Sequence, residues 1–259
     1  MNNILQNFPA HKQISVNNFT VRYSEVNQFG IIKLQAIFDY LQQAAAEHAN
    51  TLGVGMNNLY SKGMIWVLSK MSIKIMGSFT PEQKITVCTY PSGIEKLFFR
   101  REFEIHDTQS GEVLLQASSY WLLLDAKKLR PLRRDVLNGS PLENPELPVF
   151  IPQFPSPPAD LDAPEKIFDS HVKFSQMDIN QHMNNAQYAN LAEDAIFAKL
   201  QNKFAVCEIN AAFLQAQKYP DSISIAIAAN DNGVFNISIS NTEKNSAAFN
   251  AFGRLKREC

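Results

Sequence analysis

Apolar residues recur at helical spacing in two stretches of the chain. The first stretch is Leu34, Ile37, Phe38, Leu41 and Ala45, with His48 on the same stripe; the second is Tyr188, Leu191, Ala192, Ala195 and Ile196. Spacings of three and four residues place side chains on one helical face, so each stretch predicts a helix with one buried side. Behind each helix the pattern changes to the short alternating or apolar runs of strands. After the first they span 65–75, 84–90, 97–106 and 113–124. After the second they span 205–213, 222–228 and 234–240, the last two joined through Asn232-Gly233, a hairpin-turn pair. A long helix followed by several antiparallel strands, given twice, predicts an α+β protein of two units, each wrapping a sheet around one helix.

The two stretches align without gaps. Val21-Arg22-Tyr23-Ser24 lies against Val172-Lys173-Phe174-Ser175 at a constant offset of 151 residues. Between them, eight of the 13 prolines fall from Pro141 to Pro164, where hydrophobic periodicity is weak. That composition predicts an extended, polyproline-like linker over 139–165, not a packed element, dividing the chain into 1–138 and 166–259.

A composition 45% hydrophobic and 19% charged is that of a globular protein with ample core material. The net charge of −1 argues against nucleic-acid binding, which needs a strong positive field. Three cysteines (Cys88, Cys207 and Cys259) have neither metal-ligand spacing nor an even count for a disulfide framework. They read as reduced thiols of a cytoplasmic protein, with Cys88 and Cys207 buried in strands. No basic-then-apolar leader and no apolar run of bilayer length is present, so no membrane span is expected.

The chemistry concentrates in Asp178-Ile179-Asn180-Gln181-His182-Met183-Asn184-Asn185, just ahead of the second helix. If this segment is extended, Asp178, Asn180 and His182 share one face. The helix behind them offers unpaired N–H groups that can hold an oxyanion. Asn184 and Asn185 read as helix caps, with Gln187 placed as in a capping box. The offset of 151 sets Asn27, Phe29 and Ile31 against Asp178, Asn180 and His182. The first half therefore keeps the scaffold without the ionisable groups, and the chemistry belongs to the second half. His48 reads as a satisfied core residue; His11, His106 and His171 belong to no pattern.

This run and its flanks resemble the acyl-acyl-carrier-protein (acyl-ACP) thioesterases, a bacterial relative of the plant enzymes. The resemblance runs from about residue 19 to 121 and from 171 to 224. It implies two fused hotdog domains and hydrolysis of a fatty acyl-ACP thioester, releasing free fatty acid. It also implies Asp178, Asn180 and His182 as the catalytic set; no Cys/His/acid cluster has metal-ligand spacing, so no metal or cofactor is expected. The acyl chain is then expected in the silent first half, lined by Met64, Trp66, Met71 and Trp121; ordinary core packing is the alternative for each. Many relatives carry a glutamate downstream of the histidine, followed in plant members by a cysteine. Here Ala216 and Gln217 fall at those places, which leaves Asp178 as the evident base or carboxylate nucleophile, with Gln215 and Gln217 able to hold a water but not take its proton. Glu208 is a more distant candidate.

Five basic residues in eight (Lys127, Lys128, Arg130, Arg133 and Arg134) follow a strand-like run. They read either as a docking surface for an acidic acyl carrier protein or as a solvated turn. Two other functions stay open: an acyl-CoA thioesterase, and a non-catalytic acyl-binding hotdog protein. The chain could be a monomer or a homodimer, because fused hotdogs mimic the dimer of single ones.

Overall fold

The computed structural model describes residues 13–137 and 139–256. His11 and Cys259 therefore lie outside the described residues. The described residues divide into two compact units, one from residue 13 to 23 and from 39 to 153, the other from 24 to 38 and from 154 to 256.

The first unit contains strands β1 (Ser15–Thr20), β2 (Met64–Ile75), β3 (Lys84–Glu95), β4 (Phe98–Asp107) and β5 (Val113–Asp125). All pairings are antiparallel, in the order β1-β3-β4-β5-β2. Helix α1 (Leu34–Thr51) begins in the stretch that groups with the second unit and runs on into the first; a short α2 (Met56–Tyr60) follows. Its apolar stripe is buried as the spacing requires, with Ile37, Phe38, Leu41 and Ala44 fully enclosed. His48 lies on that stripe, buried, and its Nδ1 accepts a hydrogen bond from the Arg101 guanidinium at 3.0 Å.

The second unit contains β6 (Glu165–His171), α3 (Asn185–Leu200), β7 (Val206–Phe213), β8 (Ser222–Ala229), β9 (Val234–Asn241) and β10 (Ser246–Leu255). Its antiparallel order is β6-β8-β9-β10-β7, the order of the first sheet strand for strand. Helix α3 packs against β6 and β8. Tyr188, Phe213 and Phe249 form an aromatic core with ring centroids 5.2–5.8 Å apart. Gly253 of β10 faces β7 so closely that a Cβ there would come within 2.0 Å of the Glu208 carbonyl oxygen. No helix among the described residues is long and apolar enough to cross a membrane.

The proline-rich segment differs from expectation. It forms no strand or long helix, yet from 142 to 151 it is packed onto the first unit, with Leu142, Asn144, Leu147 and Ile151 buried. Prolines lack N–H donors, so the sheet holds this strap through its carbonyls and the few N–H groups between prolines. Tyr90 Oη donates to the Pro148 carbonyl (2.7 Å), and Arg100 donates to the carbonyls of Ile151 and Pro152 (2.9 Å each). The N–H of Phe150 donates to the buried Glu102 carboxylate (3.1 Å).

Candidate active site

The approach to α3 is a turn, not an extended segment. A 3-10 turn over Phe174–Gln176 leads into a loop in which the Asp178 N–H donates to the His182 carbonyl (2.8 Å). The Gln181 N–H returns to the Asp178 carbonyl (3.0 Å), and the Asn180 N–H donates to Asp178 Oδ1 (2.8 Å). Met177 and Met183 close the loop as an antiparallel bridge. Strand alternation is therefore not what groups Asp178, Asn180 and His182. A short carboxylate that captures the N–H two residues on bends the chain, and Gln181 completes the bend at φ 60°.

The first half builds the same turn with every partner 151 residues earlier. Asn27 N–H donates to the Ile31 carbonyl (2.8 Å), Gly30 N–H to the Asn27 carbonyl (2.9 Å), and Phe29 N–H to Asn27 Oδ1 (3.0 Å). Val26 and Ile32 make the matching bridge, a 3-10 turn spans Tyr23–Glu25, and Gly30 takes the left-handed position at φ 75°. The scaffold is duplicated, but its side chains are not. An amide stands for the Asp178 carboxylate, Phe29 for Asn180 and Ile31 for His182.

Asp178 and His182 are half-buried and Asn180 is exposed. Burial lowers the His182 pKa, the Lys218 ammonium lowers it further, and the Asp178 carboxylate opposes them. The ring is therefore neutral near pH 7, able to donate from one nitrogen and accept at the other. Asp178 spends Oδ1 on the Asn180 N–H, and among the described residues its other oxygen has no hydrogen-bond partner.

The helix end is less available than expected. Asn184 caps α3 by accepting the Ala186 N–H (2.8 Å), as its sequence position suggests. Met183, Asn184 and Gln187 N–H groups donate to the carbonyls of Gln217, Gln176 and Asn184 (2.8–2.9 Å). These three N–H groups are already paired, so the donors this turn still offers toward a carbonyl are the His182 ring and the exposed Asn180 amide.

The two glutamines part company. Gln215 is exposed, and its Oε1 accepts the Ser246 hydroxyl (2.5 Å). Gln217 is fully buried, with both ends of its amide bonded to protein. The Gln217 amide is therefore not free to hold a water, whereas Gln215 and Ala216 beside it are exposed. Glu208, on β7, accepts from Asn210 (3.0 Å). Cys88 is buried in β3, which pushes its thiol up to about 12, whereas Cys207 is only half-buried and bonds the Arg254 carbonyl. Three further groups near the turn carry no signal in the sequence. The Tyr188 hydroxyl and Lys218 flank the turn, and the Glu193 carboxylate on α3 accepts the Leu34 N–H (3.0 Å) and bonds the Asn27 side chain. The first two sat in plain view on the apolar stripe and beside Ala216, but nothing in their spacing marks a hydroxyl or an ammonium that turns toward the loop.

In the first unit Met64, Trp66 and Trp121 pack into one cluster with Leu123, Phe99 and Leu142. Both indole N–H groups are used internally, Trp66 on the Val54 carbonyl (2.9 Å) and Trp121 on Ser119 Oγ (2.7 Å). Met71 is fully buried on β2, opposite Ser119. The basic run folds back from β5 as a tight turn. Asp125 Oδ1 accepts the N–H groups of Lys127 (2.9 Å) and Lys128 (2.7 Å), and Leu124 bridges Pro131. All five basic side chains are exposed; Arg134 pairs with Glu143 (2.9 Å), and Arg133 and Arg134 line a surface hollow with Lys96.

Comparison with known proteins follows the same two-part division. The family described as acyl-ACP thioesterase N-terminal domain matches residues 12–137, and the corresponding C-terminal domain matches residues 161–251. Among curated proteins, a chloroplastic acyl-[acyl-carrier-protein] hydrolase of Cuphea viscosissima is 29% identical over 190 residues, 66% of this chain and 44% of that protein. The chloroplastic palmitoyl-acyl carrier protein thioesterase of Cuphea hookeriana is 27% identical over 184 residues, with the same coverage. The chain thus spans about half the length of the curated relatives it matches. Its fold is that of a solved acyl-ACP thioesterase from Bacteroides thetaiotaomicron (TM-score 0.81, 18% identity, 94% of this chain and 98% of the other). It is also that of the 12:0-ACP thioesterase from Umbellularia californica (TM-score 0.76, 15% identity, 97% and 100%).

Proposed function

Because the chain belongs to the acyl-ACP thioesterase family, we propose that it hydrolyses the thioester of a fatty acyl-acyl carrier protein at the Asp178–His182 turn, as two hotdog units (about 1–138 and 166–259) joined by 139–165. One observation carries this reading. The chain builds the same turn twice and equips only the second with a carboxylate and an imidazole.

In the proposed reaction the neutral His182 ring donates to the thioester carbonyl and stabilises the oxyanion as it forms. The unpaired oxygen of Asp178 either takes a proton from an attacking water oriented by Asn180, or attacks the carbonyl itself to form an acyl-aspartyl anhydride that a water then hydrolyses to free acid and carboxylate. The thiolate leaves without strong acid assistance, since an ordinary thiol has a pKa of about 8.5. The apolar interior of the first unit, around Met64, Trp66, Met71 and Trp121, is proposed to receive the acyl chain. The exposed run from Lys127 to Arg134 is proposed to meet the acidic carrier. No cofactor enters this scheme, and the cytoplasm is its proposed setting.

Release of free thiol from acyl-ACP, with acyl-CoA assayed in parallel, tests the proposal. Turnover of acyl-ACP at the higher kcat/KM is expected. Turnover of acyl-CoA alone would make the carrier assignment wrong, and turnover of neither would make the chain an acyl-binding protein.

A further inference from the structure

The loop between β7 and β8 runs Gln215, Ala216, Gln217, Lys218, and three of these four residues are exposed; Gln217 alone is fully buried. A primary amide buried without partners is destabilising, so its bonds decide why it is there.

Those bonds reach three other segments as well as its own loop. The Gln217 N–H donates to the Tyr188 hydroxyl on α3 (3.2 Å), and its carbonyl accepts the Met183 N–H (2.8 Å). Its side-chain Nε2 donates to the Gln215 carbonyl (3.0 Å), and its Oε1 accepts from Asn241 Nδ2 at the end of β9 (2.6 Å). The orientation of each amide is determined by its neighbours. Asn241, itself fully buried, uses Oδ1 to accept the N–H groups of Glu243 (3.1 Å) and Lys244 (2.8 Å), so its Nδ2 is left to donate. Gln217 must then present its oxygen to Asn241 and its nitrogen to Gln215.

Met183 follows His182 directly and closes the site turn through its bridge with Met177. One end of that turn is therefore fastened to Gln217, and Gln217 is fastened to α3 and β9. We propose that Gln217 is a positioning residue, tied by Asn241 and Tyr188, that holds the Asp178–His182 turn in its working geometry. This inference rests on the hydrolytic reading of the turn. It gives Gln217 a role through the protein, not through a water at the reacting carbonyl.

The test compares wild type with Gln217→Met, which keeps the chain length and removes the amide, and Asn241→Leu, which removes only the partner. Tyr188→Phe is the milder variant if either fails to fold, because it deletes one hydroxyl and keeps the ring packed on Phe249. Two readouts are taken: amide hydrogen exchange at Asp178 and Met183, and kcat and KM for acyl-ACP. Faster exchange at both amides is expected, with exchange in the middle of α3 unchanged. The expected kcat loss is about 10- to 100-fold at near-constant KM, the scale on which small misplacements act. The Gln217→Met/Asn241→Leu double variant should be no worse than the poorer single one. Loss of kcat in Gln217→Met but not in Asn241→Leu would instead make Gln217 a direct water holder and overturn the proposal. Faster exchange with unchanged kcat would overturn it too. If wild type itself lacks turnover while exchange responds as expected, the hydrolytic reading fails and the clamp on the turn stands.

Discussion

Asp178 and His182 are joined across a turn by one backbone hydrogen bond of 2.8 Å, and 151 residues earlier Asn27 and Ile31 are joined by the same bond at the same length. Identical backbones with unlike side chains separate scaffold from chemistry. Whatever the turn does for folding, both copies do; whatever needs a carboxylate and an imidazole, only one can do.

Asn27→Ala is accordingly expected to affect stability and not the chemical step. Asn27 Oδ1 accepts N–H groups from Phe29 (3.0 Å) and Ile31 (3.1 Å), so its loss should cost about 1–3 kcal/mol in urea unfolding. kcat for acyl-ACP should stay within about threefold of wild type, a shift of under 1 kcal/mol in the barrier. A kcat loss as large as that of Asp178→Ala, measured in folded protein, would remove the functional asymmetry between the two turns.

The basic turn should act on encounter. Replacing Arg130, Arg133 and Arg134 together with Ala should raise KM for acyl-ACP several-fold, and change KM for acyl-CoA less. Added salt should raise the wild-type KM in the same sense, because exposed charges are screened beyond about 8 Å at physiological ionic strength. If the triple variant keeps the wild-type KM at low salt, these side chains only solvate the turn closed by Asp125.

Acid stability should depend on His48. Burial and the neighbouring Arg101 guanidinium hold its pKa at about 3, against 6.5 for an unperturbed ring. As pH falls below about 6.5 the unfolded chain takes up a proton that the folded chain refuses until about pH 3. Stability therefore drops through that window, by at most about 1.4 kcal/mol per pH unit from this one group. His48→Gln should lower stability at pH 7 and flatten its pH dependence between about 6 and 4. Parallel urea-midpoint profiles for the two proteins would show that His48 does not titrate this way.

Much of this was legible in the residues. The helical stripes led to α1 and α3, and the gap-free offset predicted the pairing of Asn27 with Asp178 that the two turns share. The turn itself could have been read from the same alignment, since Gly30 falls opposite Gln181 and glycine there signals positive φ. β1, β6 and β10 were missed. Four of the six residues of β1 are polar, and β10 opens on small residues, so neither carries strong hydrophobic alternation. The strap was hidden by its prolines, although Leu142, Leu147 and Ile151 between them are the apolar side chains it buries. The role of Gln217 could not be read at all, because a buried amide and an exposed one look alike until the partners from α3 and β9 are in place.

The proposed chemistry rests on the Asp178 carboxylate, and Asp178→Asn removes that charge alone. Asparagine keeps the size and can still accept the Asn180 N–H, as Asn27 does for Phe29, so the turn and acyl-ACP binding should survive. The kcat for acyl-ACP should fall by at least about 10²-fold, the lower end of what a positioned base contributes, in protein whose unfolding midpoint is unchanged. Retention of more than about a tenth of the wild-type kcat, a barrier change below about 1.4 kcal/mol, would place the base elsewhere and make Glu208 the residue to replace next.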